Sequence, residues 1–221
     1  MRTRPLGQVE IRQVNETDLP SLAKAHLRIF PEYFTSHLGV QFLLHYYREF
    51  VDSAQATGFV AIQGGVVVGF VFGFTDSHSF HVRFYRNNFL PLVFILVRAI
   101  VRDGVVRRSI GSRMGNVFLA IRSQCQASPV PGRNEARSSF QSRLISIGVA
   151  PEARGVGLAE ELVNRLLEWF HDRGVQTVGL SVRSDNVRAM AFYRKTGWNY
   201  EMALGSSTYF FRATTQDQTP A

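Results

Sequence analysis

The chain has 221 residues, 45% of them hydrophobic, which is enough for one domain with a substantial core. A single cysteine excludes an internal disulfide, arginine outnumbers lysine 23 to 2, and the formal net charge is +8. We find no secretory signal and no stretch near the ~20 apolar residues that span a bilayer, so we expect a cytoplasmic protein.

The first third of the chain predicts a strand, two helices and a hairpin. Residues 9–14 favour a strand, and Thr17, Asp18 and Pro20 are typical of a helix start. A second helix is expected over residues 38–51, where aromatic residues recur at i, i+4 spacing. Residues 59–74 form two apolar runs separated by Gly64-Gly65, which predicts a hairpin with a two-residue turn.

The next segment, approximately residues 76–141, is basic. Residues 76–142 contain ten arginines and three carboxylates, a net +7. Residues 89–101 are apolar nearly all round and predict a helix, residues 117–121 favour a second one, and residues 127–135 favour an exposed connection. The arginines indicate either solvated helix faces or an electropositive surface for an anionic acceptor or membrane headgroups.

Residues 142–174 read as a strand, a glycine-rich turn and a helix. Residues 143–149 are rich in β-branched side chains, Gly155 and Gly157 follow, and apolar residues then recur on one helical face up to Gly174. The first N–H groups of a helix have no internal partner and lie at the positive end of its dipole, so such a turn suits a phosphate. By itself the turn is equally consistent with a ligand-free connection.

The last 80 residues or so add a second set of motifs. Residues 175–182 predict a strand, Asn186 caps another helix, and residues 199–204 and 208–213 predict a closing hairpin before a polar tail at 214–221. The patterns V-x-P-x-x-R-G-x-G-L-A (149–159) and L-x-V-x-x-x-N-x-x-A-x-x-F-Y-x-K-x-G-W (180–198) resemble the GCN5-related N-acetyltransferase (GNAT) family. The first 75 residues resemble it only in outline.

The resemblance implies a single α/β domain over residues 1–221, with a mixed twisted sheet flanked by helices and a helical insertion between the third and fourth strands. The central parallel strands of this sheet are expected to splay apart. The family also implies acetyl-coenzyme A as cosubstrate, and no metal. Its pantetheine would lie along the strand from Ile145 to Val149, where Gly148 would permit a bulge. The residues expected to bind the cofactor are Ile147, Val149, Arg154, Gly155, Val156, Gly157, Leu158, Ala159 and Asn186.

The same resemblance assigns catalytic roles. Tyr193 would protonate the departing thiolate, and the Val149 N–H would polarise the thioester carbonyl. Many relatives carry a glutamate on the fourth strand, but no carboxylate lies between residues 142 and 149 here. The general base is therefore left open between a water chain and four side chains: His26, Asp76, His78 and His81.

We expect direct acetyl transfer to a primary amine of a small, anionic acceptor such as an amino-sugar nucleotide, because the basic segment would suit such a molecule. The spacing in residues 26–50 resembles a branch of the family associated with surface-glycan assembly. The alternative is a catalytically idle coenzyme A binder that uses the basic segment for a partner or a membrane surface. Base-specific nucleic-acid binding is not expected, whereas peripheral membrane contact and homodimerisation are left open.

Overall fold

The computed structural model describes residues 9–111 and 140–215, with side chains up to residue 107 in the first range. The expected elements at 117–121 and 127–135, and the tail beyond 215, lie outside these residues. The strands are β1 (Glu10–Gln13), β2 (Ala56–Gln63), β3 (Val66–Phe74), β4 (Arg143–Val149), β5 (Thr177–Arg183), β6 (Asn199–Leu204) and β7 (Ser207–Ala213). The helices are α1 (Leu19–Ile29), α2 (Phe34–His37), α3 (Gly39–Val51), α4 (Ser77–Arg102), α5 (Gly104–Gly111), α6 (Leu158–His171) and α7 (Val187–Lys195).

The seven strands form one mixed sheet in the order β1-β2-β3-β4-β5-β7-β6. β4 and β5 are parallel, and every other neighbouring pair is antiparallel. The Gly64-Gly65 turn between β2 and β3 has φ values of +57° and +76°, the left-handed conformation that glycine adopts without strain. The mixed α/β fold expected from the sequence is confirmed.

Helices cover both faces of the sheet and bury a separate hydrophobic cluster on each. On one face, α6 places Leu162, Leu166 and Phe170 against the central strands. On the other face, α1 and α3 bury Leu22, Leu43 and Tyr47 against the phenylalanines of β3. The cleft described below opens at the edge where these two layers meet β4.

Two helix starts differ in detail from the sequence expectation. The cap before α1 is Asn15, whose side chain accepts from the Thr17 N–H at 3.0 Å, while the Asp18 carboxylate accepts from the Asn15 N–H at 2.9 Å. This reciprocal pair is a capping box, and a short 3₁₀ turn (Glu16–Asp18) precedes the helix. The expected helix over 38–51 begins at Gly39, whose φ of +85° separates α2 from α3.

The expectation that no segment is long and apolar enough to span a membrane is wrong for α4. This helix extends from Ser77 to Arg102, well beyond the predicted 89–101, and passes that test by length and composition. Only 22% of its most apolar stretch is buried. The sequence did not predict the full length of this helix, because its continuous apolar run is shorter than the helix. The further apolar residues precede that run.

Candidate functional site

The main cleft opens where β4 and β5 diverge. These parallel strands pair only at Arg143 and Gly179, and the Gly179 N–H donates to the Ser142 carbonyl at 2.9 Å. Beyond that point, a cavity of about 460 Å³ separates Ile147 and Val149 from Val182. The register of the sheet therefore gives the expected separation of the central parallel strands.

The free edge of β4 faces this cleft. The Ala150 N–H donates to the Val68 carbonyl at 2.8 Å, so the residues that alternate with Ala150 bond to β3. In an antiparallel ladder the intervening residues point the other way, which directs the N–H groups of Ile147 and Val149 into the cleft. Both residues line it, as an added strand of ligand would require.

The bulge in β4 lies at Ile145 and not at Gly148, contrary to expectation. Phe72 pairs with Ser146 and Gly73 with Leu144, which leaves Ile145 without a partner. Gly148 pairs with Phe70 in regular register, so no bulge explains the glycine at this position. A Cβ there would come within 3.1 Å of side-chain atoms of Ile29 and Phe30, so glycine lets α1 approach β4 closely.

The glycine-rich turn before α6 presents free N–H groups. Gly155 and Gly157 have φ values of +85° and +83°, where a side chain would be strained although space is open around both. From Gly155 to Ala159, no backbone N–H donates to a described residue. Because these donors lie at the N-terminus of a 14-residue helix, they form a site suited to a phosphate.

Two guanidinium groups lie beside this turn. Arg154 donates from Nε to the Val149 carbonyl at 2.9 Å, and both Arg154 and Arg188 line the main cleft. Burial and the nearby charge of Arg188 lower the pKa of Arg154. Sequence reasoning missed Arg188, and the only signal for it was its position in the first turn of α7, two residues after Asn186.

The other expected cofactor residues divide between two adjoining cavities. A smaller one, of about 250 Å³, continues from the main cleft past Gly155, Gly157 and Leu158. Val156 does not line either of these cavities and is exposed on the far side of the turn. Asn186 lines the main cleft, while its Oδ1 accepts from the Ala189 N–H at 3.1 Å and caps α7.

Tyr193 is fixed by packing but opens its hydroxyl to the cleft. The residue is 5% exposed, and its ring packs against Trp198 and Phe210. The hydroxyl has no hydrogen-bond partner among the described residues. It is not among their fully buried polar atoms that lack a partner, so it keeps some contact with solvent in the cleft. Burial, and secondarily Tyr33, raise the pKa of Tyr193, so the phenol stays protonated and is able to donate.

The opposite wall holds a hydrogen-bond chain centred on His26. Its Nδ1 lies 2.6 Å from the Tyr47 hydroxyl and its Nε2 lies 3.1 Å from the Thr35 hydroxyl. Ser146 on β4 lines the same cleft as these three residues. Both contacts of His26 are satisfied if the Tyr47 hydroxyl donates to Nδ1 and the Nε2–H donates to Thr35.

Of the four side chains considered as general base, His26 alone lines the cleft. Asp76 caps α4 through the His78 and Ser79 N–H groups, and His81 bonds to the Ser77 carbonyl at 2.6 Å. Burial lowers the pKa of His26 from 6.5 to about 4. No carboxylate lines the described cleft. The neutral imidazole of His26 is therefore the one candidate general base that the cleft contains.

Comparison with known proteins agrees with this geometry. Residues 118–198 match the model of the acetyltransferase (GNAT) family. The resemblance drawn from the motifs at 149–159 and 180–198 is therefore confirmed over this part of the chain.

Two curated relatives each match about a quarter of the chain. Mycothiol acetyltransferase of Paenarthrobacter aurescens is 37% identical over 65 residues, which is 28% of this chain and 20% of the relative. The ribosomal protein bS18-alanine N-acetyltransferase of Escherichia coli is 36% identical over 59 residues, 27% of this chain and 40% of the relative. The matches thus span well under half of the relatives' own length.

A solved structure extends the likeness to almost the whole chain. The PaiA N-acetyltransferase of Thermoplasma acidophilum, solved with coenzyme A, superposes with a TM-score of 0.56 at 12% identity and covers 93% of this chain and 99% of its own. At this identity the likeness concerns the fold. The seven-stranded sheet with its flanking helices is the architecture of GNAT acetyltransferases.

Proposed function

We propose that the protein transfers an acetyl group from acetyl-coenzyme A directly to a primary amine. One observation carries the proposal: the gap between β4 and β5 brings the free edge of β4, the row of free N–H groups at Gly155–Ala159 and the Tyr193 hydroxyl into connected cavities. Each of these features suits one part of an acyl thioester of coenzyme A.

The described residues fit the cofactor in two places. The N–H groups at the start of α6, with Arg154 and Arg188, would bind the pyrophosphate through charge-assisted hydrogen bonds. The N–H groups of Ile147 and Val149 would bind the pantetheine amides as a neighbouring strand does. Asn186 uses its oxygen for the helix cap, which leaves its amide N–H₂ for the ligand.

Bound acetyl-coenzyme A supplies a thioester whose carbonyl carbon the amine attacks, and the C–S bond then breaks. The Val149 N–H would stabilise the negative charge on the carbonyl oxygen. Tyr193 would give its proton to the leaving sulfur, since its raised pKa keeps the phenol protonated at neutral pH. These two donors lie on opposite sides of the cleft, on β4 and α7.

Removal of the amine proton would run through the hydrogen-bond chain Tyr47–His26–Thr35. With a pKa of about 4, His26 does not hold a proton at neutral pH and acts only as a relay. A cleft without a carboxylate also offers no ion pair to a bound ammonium ion. The acceptor amine therefore has to enter the reaction uncharged, which favours amines of low pKa.

The acceptor wall is aromatic and rich in hydroxyls. Phe30, Tyr33 and Tyr46 offer ring faces, while Thr35 and Ser146 offer hydroxyl groups. Such a lining favours an amino sugar over a polycationic amine, since sugar hydroxyls find partners there. A nucleotide attached to the sugar receives no support from this wall, because both arginines of the cleft lie on the cofactor side.

The first prediction tests the cofactor. Coenzyme A should raise the melting temperature, because a ligand that binds only the folded protein stabilises it by ~2.7 kcal/mol at a hundredfold excess over its Kd. Gly157→Glu should abolish the shift by placing a carboxylate in the phosphate site. Gly174→Glu is the matched control: Gly174 also has a left-handed φ, +73°, but lies at the end of α6 away from the cleft.

Release of free thiol from acetyl-coenzyme A, measured with a panel of amino sugars, arylamines and polyamines, tests the reaction. We expect turnover with an amino sugar and none with polyamines. A missing coenzyme A shift would refute the cofactor site, whereas a shift without turnover would refute only the transfer.

The second candidate is a coenzyme A binder without catalytic activity. It is favoured by one observation, the absence of a carboxylate from the described cleft combined with the low pKa of His26. Tyr193 speaks against it, because its hydroxyl has no hydrogen-bond partner among the described residues and the residue lines the cleft. The amine panel separates the two candidates.

A further inference from the structure

The outer face of α4 is apolar although it is exposed. Eight of the seventeen exposed large hydrophobic side chains among the described residues lie on this helix. Leu90 is 77% exposed and Phe94 is 68% exposed. The six from Phe89 onward lie within an arc of about 140° at 3.6 residues per turn, and we call them the outer face: Phe89, Leu90, Val93, Phe94, Val97 and Val101.

The opposite side of α4 is fixed to the protein. Ile95 and Ala99 are buried there, and nearer the start of the helix Arg83 forms an ion pair with Glu49 of α3. Asn88 Oδ1 lies 2.9 Å from His45 Nδ1. A helix crossing a bilayer would expose these polar groups to lipid, which the hydrocarbon core penalises. The arrangement is that of a helix lying at an interface, with one side on the domain and one side outward.

Unpaired arginines border the outer face. A second cavity, of about 710 Å³, lies between α4 and the start of α3, and Arg98, Arg102 and Phe94 line it. Arg98 and Arg102 form no ion pair with a described residue, and the carboxylate at this cavity, Asp103, is paired with His37 at 2.8 Å. Like charges one turn apart repel each other. Their placement beside an apolar face indicates an anionic ligand that also carries apolar groups.

We propose that α4 docks the protein onto an anionic lipid surface. The outer face contacts the boundary of the acyl chains, and Arg98 and Arg102 bind headgroup phosphates, which match the fork of guanidinium donors. A second copy of the chain is a poorer occupant, because its outer face is entirely apolar and offers no carboxylate to Arg98 and Arg102. The surface is separate from the acetyl-transfer cleft, so its test does not depend on activity.

The experiment is flotation of the full-length protein with phosphatidylcholine vesicles, with and without phosphatidylglycerol. We expect binding only to the anionic vesicles and a loss of binding as salt is raised. Leu90→Ser combined with Phe94→Ser should weaken binding by roughly a hundredfold. The control, Val66→Ser with Tyr200→Ser, changes two exposed apolar residues elsewhere and should not alter binding.

The charge arm compares two double variants. Arg98→Gln with Arg102→Gln should weaken binding roughly 25-fold, the equivalent of ~2 kcal/mol for two basic residues. Lys24→Gln with Arg194→Gln removes the same charge from exposed sites outside α4 and should have little effect. Absence of binding to anionic vesicles, or equal weakening by both charge pairs, overturns the proposal. The proposal is also overturned if the protein sediments as a dimer that dissociates when Leu90→Ser is combined with Phe94→Ser. A second copy of the chain would then cover the outer face.

Discussion

His26 should make the folded protein sensitive to mild acid. Its pKa falls from 6.5 to about 4 on folding because the ring is 5% exposed and lies between Phe30, Tyr47 and Phe70. The unfolded chain therefore binds a proton between these values when the folded protein does not. Stability is fully present above pH 6.5, falls as the pH drops towards 4, and falls no further below that.

The magnitude follows from the linkage relation. Between pH 7.5 and pH 5.0, these two pKa values give a loss of ~2 kcal/mol in the free energy of unfolding from His26 alone. Urea unfolding at both pH values measures this for the wild type and for His26→Gln, which keeps polar groups near Tyr47 and Thr35 but does not titrate. The other five histidines are the same in both proteins, so the comparison isolates His26.

We expect the wild type to lose ~2 kcal/mol more than His26→Gln over this interval. An equal loss in the two proteins would refute the assignment of a neutral, desolvated imidazole. It would also remove the reason for treating His26 as a relay rather than a base.

Two further predictions concern the cleft and assume an acceptor has been found. Tyr193→Phe should lower kcat by a factor within or below the ~10²–10⁴-fold range of acid catalysis, while the KM for acetyl-coenzyme A stays unchanged. If the variant turns over at the wild-type rate when chemistry is rate-limiting, Tyr193 serves packing alone. Arg188→Gln should raise that KM roughly tenfold with kcat unchanged, because one charge-assisted contact to the pyrophosphate is lost, whereas Arg194→Gln on the same helix should not. Equal KM values for both arginine variants would separate Arg188 from the phosphate site.

The local features of the fold were predictable because they depend on neighbours in sequence. β4 extends from Arg143 to Val149, the bounds that its sequence predicted. Gly155 and Gly157 were identified from the turn pattern, and both have the left-handed φ that such a turn needs. In each case the controlling interactions lie within a few residues of the chain.

Features that depend on contacts between distant segments were not predictable. The chain gives no local signal that β7 lies between β5 and β6. The bulge was expected at Gly148 because glycine tolerates one, but the register between β3 and β4 places it at Ile145. The path of α4 away from the sheet is also a tertiary property, and it removes Asp76, His78 and His81 from the cleft.

Gly148 connects these local and distant requirements. Because it carries no side chain, Ile29 and Phe30 approach β4 to within 3.1 Å of where a Cβ would lie, and Phe70 of β3 to within 3.0 Å. That approach places α1, and with it His26, over the same strand whose free edge faces the cofactor side of the cleft. Gly148 therefore affects both the acceptor wall and the cofactor side of the site. A larger side chain would push the acceptor wall away from the strand proposed to bind the thioester. A glycine expected to give backbone freedom thus acts by permitting close packing.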